Sequence, residues 1–130
     1  MLDTLYSFFD THDITPFSSI LSDDGLFLGT DGSEFWDKVT AVQAHEAMFE
    51  VPEFKFTYTQ TNRVIRVADD GKSALVIDQI ENTPVFGPDM PVRITSLVVN
   101  TEDGWKVDYM GWSLIPDNED LTAISAVLAE

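Results

Sequence analysis

Beyond Pro52 the apolar residues recur at every second position, whereas before it they recur at every third or fourth, and this switch restricts the fold more than any other feature. A period of two sends successive side chains to opposite faces of a strand; a helical period keeps them on one face. Residues 54–61 and 63–67 alternate and are rich in β-formers. Asp70-Gly71 reads as a two-residue type I′ hairpin turn with residues 73–81 returning as the partner strand. Residues 82–91, with three prolines and a glycine, read as a loop. A third strand over 92–101, a turn at 102–104 and a fourth strand over 105–114 complete the sheet.

The first half carries helices. Leu2, Leu5, Tyr6 and Phe9 form one apolar face ending near His12. Thr15-Pro16 reads as an N-cap and first-turn proline, with Phe17, Ile20 and Leu21 as the next stripe, stopped by Asp23-Asp24-Gly25. Residues 26–30 suit a short strand. Asp31 to Glu34 has the spacing of a capping box, and Phe35, Val39, Val42 and Phe49 share a helical face that passes near His45. Leu121, Ile124 and Leu128 suggest a short C-terminal helix. Neither repeat nor linker divides the chain, so a single domain over 1–130 is expected.

Composition narrows function. A formal charge of -16 repels phosphate, which argues against nucleic acid and anionic membrane surfaces as partners. Met1 leads into Leu2-Asp3 with no basic segment before an apolar one, so a cytoplasmic location is expected. Without cysteine there is no disulfide, thiolate or Cys-ligated zinc, and two histidines 33 residues apart lack a zinc-ligand pattern; neither metal nor cofactor is expected.

Gly29-Thr30-Asp31, followed by Glu34-Phe35-Trp36, and a second stretch from Arg93 through Gly104-Trp105-Lys106-Val107 resemble the SnoaL-like branch of the nuclear transport factor 2-like superfamily. The resemblance implies an α+β fold: N-terminal helices packed on a strongly curved antiparallel sheet, forming a cone with an internal pocket. It implies a homodimer that binds a small molecule, with functions in the superfamily ranging from isomerases and cyclases to non-catalytic association domains. Relatives often carry histidines in the last strand; here that stretch reads Tyr109-Met110-Gly111-Trp112-Ser113.

Register supplies candidate site residues. The Asp70-Gly71 turn sets Arg63 opposite Asp78, and Ile65 and Val67 on a face with Ala74 and Val76, which puts a charged pair on an apolar face. A three-residue turn at 102–104 pairs Leu97 with Tyr109 and Arg93 with Ser113, with Trp105, Val107 and Tyr109 pointing one way. Asp78 as base and Tyr109 as acid or oxyanion donor are the candidate catalytic residues; Trp36, Tyr58, Arg63, Arg93 and Trp112 are the candidate ligand contacts. A two-pronged Arg63 contact would assign Asp78 to binding or structure, whereas an Asp78 turned towards Tyr109 would favour proton transfer. Thr57, Thr59, Leu75, Ile77, Val98 and Met110 are expected on the convex, dimer-forming face.

Overall fold

The computed structural model describes residues 2–54, 56–83, 86 and 90–130. Helices α1 (Leu2–Thr11) and α2 (Ile14–Ser19) precede strands β1 (Leu21–Leu28) and β2 (Phe35–Trp36) and the long helix α3 (Lys38–Phe49). Strands β3 (Thr59–Val67), β4 (Ser73–Glu81), β5 (Val92–Thr101) and β6 (Gly104–Leu114) follow, then helix α4 (Asn118–Leu128). One open, curved sheet results, in the order β2-β1-β6-β5-β4-β3, antiparallel except where β1 runs parallel to β6. Half of the loop expected over 82–91, residues 84, 85 and 87–89, lies outside the described residues.

The apolar face of α1 is buried as its spacing predicts, and His12, in the left-handed conformation (φ 56°), ends the helix. Asp13 rather than Thr15 caps α2, its Oδ1 accepting from Thr15 N at 3.3 Å. The stripe expected to run to Leu21 stops at Ser19, because Leu21 pairs with Val107 and opens β1. Asp31 to Glu34 is likewise no helix cap but the turn of the β1–β2 hairpin. Glu34 Oε1 accepts from Asp31 N at 2.8 Å and Asp31 Oδ1 from Ser33 N at 2.8 Å. Asp37 caps α3 instead, through Thr40 N at 2.8 Å, which leaves Phe35 in a strand and largely exposed.

Two hairpins keep the expected pairs by unexpected routes. Of the residues around the β3–β4 turn only Gly71 has a positive φ (68°), and Ala68 bonds Ser73, so the connection is a four-residue loop, not a type I′ turn. Arg63 still faces Asp78. Between β5 and β6 the turn is one residue tighter than expected, with Thr101 opposite Gly104, and a bulge between Leu97 and Val98 restores the pairing of Leu97 with Tyr109. The bulge also changes the faces along β6: Val107 points inward while Tyr109 points outward, and Met110 is buried instead of lining the convex face. Val98 is buried too, because it pairs with inward-facing Ala74. That outer face carries Val64, Leu75, Ile77, Leu97 and Tyr109, by register with one another.

Candidate functional site

The inner face of β4 presents Val76, Asp78 and Ile80, all buried, against α1. Asp78 is 0% exposed, and three donors converge on it. Arg63 Nε donates to Oδ1 at 2.6 Å, Arg63 Nη2 to Oδ2 at 3.0 Å, and Tyr6 OH to Oδ2 at 2.7 Å. The far edge of the same guanidinium grips Asp3 at 2.8 and 3.1 Å. Asp3 and Tyr6 lie one turn apart on α1, so this chain of contacts clamps the helix to the β3–β4 hairpin. Its electrostatics are consistent: the Arg63 bond holds the Asp3 carboxyl below its usual range, the two carboxylates push Arg63 up, and burial followed by the Asp78 bond pushes the Tyr6 phenol up.

A cavity of about 160 Å³ lies beside this clamp, bounded by α1, α2, α3 and the inner sheet. Six phenylalanine rings (Phe9, Phe17, Phe27, Phe54, Phe56 and Phe86) line it together with Trp36 and Trp112. Phe9 is the hub, with ring centroids 5.0 Å from Phe56, 5.4 Å from His45, 5.8 Å from Phe17 and 6.1 Å from Trp112. The polar side chains of the wall are Thr30, Glu34 and His45. Helical spacing places Ala41, His45 and Met48 on one face of α3, turned to the cavity.

His45 is oriented by its own helix. Its Nδ1 lies 2.7 Å from the Ala41 carbonyl, which only accepts, so Nδ1 carries the proton and Nε2 the lone pair. Burial lowers its pKa, opposed by the Ala41 bond and the Glu34 charge, and the ring is neutral near pH 7. Nε2 has no hydrogen-bond partner among the described residues. The one side-chain polar atom both sealed off and unpartnered among the described residues is Ser96 Oγ, so Nε2 is not sealed off, and the His45 side chain belongs to the cavity wall.

The candidates thus divide between two faces. Trp36 and Trp112 line the cavity, and Tyr58 packs edge-on against Tyr6 at 5.7 Å. Arg63 and Asp78 meet, but in the clamp rather than the cavity wall. Arg93 and Tyr109 are on the opposite face of the sheet: Arg93 bonds Gln79 at 3.3 Å, and Tyr109 borders, with Gly111 and Ser113, a more open cleft that shares Glu34 and Trp112 with the cavity. Glu34 and the phenylalanines were not among the expected contacts; the signal for His45 was its place between Ala41 and Phe49 at helical spacing. His12 donates Nε2 to the Phe54 carbonyl at 2.6 Å and stacks on Phe49, a structural tie.

Among solved structures the fold is that of the nuclear transport factor 2-like and cystatin-like α+β proteins. A domain of unknown function with a cystatin-like fold from Nostoc punctiforme matches with a TM-score of 0.77 and 11% identity, covering 98% of this chain and 81% of that one. An uncharacterized protein with a cystatin-like fold from Caulobacter vibrioides gives 0.74 and 18%, covering 99% and 93%. A nuclear transport factor 2-like protein from Cytophaga hutchinsonii gives 0.69 and 20%, covering 87% and 91%. At such identities the likeness concerns the fold alone. The chain itself belongs to the SnoaL-like domain family, which it matches over residues 1–118. None of the curated proteins matches it. Among the described residues no helix is long and apolar enough to cross a membrane, and no three His, Asp or Glu side chains gather as a metal site requires.

Proposed function

We propose that this SnoaL-like domain binds a small, largely apolar molecule in the cavity between α1, α3 and the inner sheet. The observation that carries this reading is a void lined by eight aromatic rings with few polar groups, the usual make-up of a ligand pocket. Binding of toluene, followed through Trp36 and Trp112 fluorescence, is expected to saturate. Ala41→Leu, which fills the cavity from α3, is expected to weaken it about tenfold or more while the protein stays folded. An absent signal, or equal binding by the filled variant, would remove the reading.

His45 favours a second reading, acid–base turnover of the bound molecule in the manner of a lyase, isomerase or cyclase. Asp78 has its oxygens occupied by Arg63 and Tyr6, and Tyr109 faces away, so His45 as base and Glu34 as its charged neighbour would carry the proton transfer in their place. Product formation that is lost in His45→Phe would distinguish turnover from binding.

We further propose a homodimer through the outer face, where Val64, Leu75, Ile77, Leu97 and Tyr109 form an apolar patch with Val64 and Leu75 more than a third exposed. Sedimentation is expected to give twice the chain mass for the native protein and a monomer for Leu75→Lys. A native monomer at micromolar concentration would refute the dimer.

A further inference from the structure

We infer that the cavity receives an uncharged single-ring molecule bearing one hydroxyl-type donor, of the phenol class, and that this donor is bound by His45 Nε2. The inference rests on the binding reading above and adds to it the ligand's size, charge and polarity.

Size comes first. An apolar cavity of about 150 Å³ holds one benzene-sized ring, and this one has about 160 Å³. A fused multi-ring molecule would crowd Phe9 and Trp112, both held in ring–ring contacts on several sides.

Charge comes second. No Lys or Arg lines the cavity, and Glu34 does, so an anion would enter without a partner and beside a like charge. A cation would find Glu34, but that carboxylate already accepts from Asp31 N at 2.8 Å and is shared with the more open cleft, away from the deepest rings. Burying an ammonium costs far more than burying a hydroxyl.

Polarity comes third. The neutral His45 ring offers a lone pair and no proton at Nε2, because Nδ1–H is spent on Ala41. A ligand carbonyl or ether oxygen would meet lone pair with lone pair. A hydroxyl or ring N–H would complete the bond, and an unmatched donor in so apolar a wall would be heavily penalised.

Calorimetric titration of the full chain with phenol, toluene, benzoate and benzylamine tests this, together with His45→Phe, His45→Gln and Glu34→Gln. Phenol and toluene are expected to bind, with benzoate at least about tenfold weaker than phenol. In His45→Phe, phenol should lose about tenfold or more in affinity while toluene changes less than about threefold. His45→Gln, whose amide oxygen reaches the Nε2 position, should restore part of the phenol affinity. In Glu34→Gln the loss of phenol affinity should be smaller than in His45→Phe. In the native protein the His45 Nε2 nitrogen resonance should move on adding phenol and stay in place on adding toluene, which tests the contact without any substitution.

Toluene binding with a phenol affinity indifferent to His45→Phe would overturn the donor inference and leave the binding reading standing. Phenol loss on Glu34→Gln instead, or benzylamine binding tighter than phenol, would move the recognition to the carboxylate and overturn it too. If no ring compound binds, the binding reading and this inference fall together.

Discussion

Asp78→Ala is expected to lower stability by about 3 kcal/mol and the melting temperature by roughly 10 °C, while the protein that remains folded binds cavity ligands as before. The carboxylate is wholly buried and satisfies two nitrogens of Arg63 and the Tyr6 hydroxyl. Its removal leaves the Tyr6 donor in a site only 1% exposed, and an unmatched buried donor is costly. Breaking a buried pair costs about 3–5 kcal/mol, and the lower end applies because the Arg63 side chain is 22% exposed and keeps Asp3. The loss should be much smaller when Arg63→Met and Tyr6→Phe accompany Asp78→Leu, since an apolar replacement of the whole group leaves nothing unmatched. Calorimetry of the single and triple variants decides. Unchanged stability with weakened ligand binding in Asp78→Ala would return Asp78 to the ligand site.

This reverses the emphasis that the sequence alone suggests. Register brings Arg63 opposite Asp78, and a charged pair on an apolar face invites a functional explanation. The third member, Tyr6, is 72 residues away in sequence and reaches Asp78 only because α1 lies across the sheet. Its hydroxyl uses the acceptor capacity that a substrate would have needed.

The same contrast between local and distant signals runs through the molecule. Strands β3 to β6 follow from period-two alternation, and the short turns of the β3–β4 and β5–β6 hairpins allow few registers, so the pairs at Arg63 and Leu97 were readable. The bulge at β6 was not. It adds one residue, leaves the distant pairs in place, and turns Tyr109 from the inner face to the outer one; nothing in Asp108 or its neighbours announces it. Helix starts were ambiguous for a different reason. With 23 acidic residues, candidate caps occur every few positions, and Asp13 and Asp37 prevailed over Thr15 and Asp31 through contacts set by the hairpin and sheet around them. Strand β1 pairs in parallel with β6, some 80 residues on, and no local pattern specifies that partner. From sequence His45 was placed only near an apolar face of Phe35, Val39, Val42 and Phe49, of which Phe35 and Val39 are exposed; the inner face is that of Ala41, His45 and Met48, and the direction of the free nitrogen depends on the Ala41 bond.

The second large effect is expected at Phe9. Phe9→Ala should destabilise the protein by about 3–4 kcal/mol, or roughly 10–15 °C, and should shift ligand preference from one ring towards two. The ring is 4% exposed and meets Phe17, His45, Phe49, Phe54, Phe56 and Trp112, with centroid separations of 5.0 to 6.3 Å. Truncating it removes burial and dispersion on every side, and because its neighbours are held by contacts with one another, they close the gap only in part. The vacated volume joins the existing cavity instead of forming an isolated void. A two-ring molecule such as naphthol is then expected to fit where the native cavity is expected to take one ring, and its binding would restore stability by linkage, about 2.7 kcal/mol at a hundredfold excess over its dissociation constant. Melting curves of the native protein and Phe9→Ala, each with phenol and with naphthol, separate the outcomes. Naphthol should raise the melting temperature of the variant more than phenol does, and the order should be reversed in the native protein. A variant that is destabilised but gains nothing from naphthol would mean that its enlarged cavity has collapsed, and that Phe9 does not set the size of the ligand.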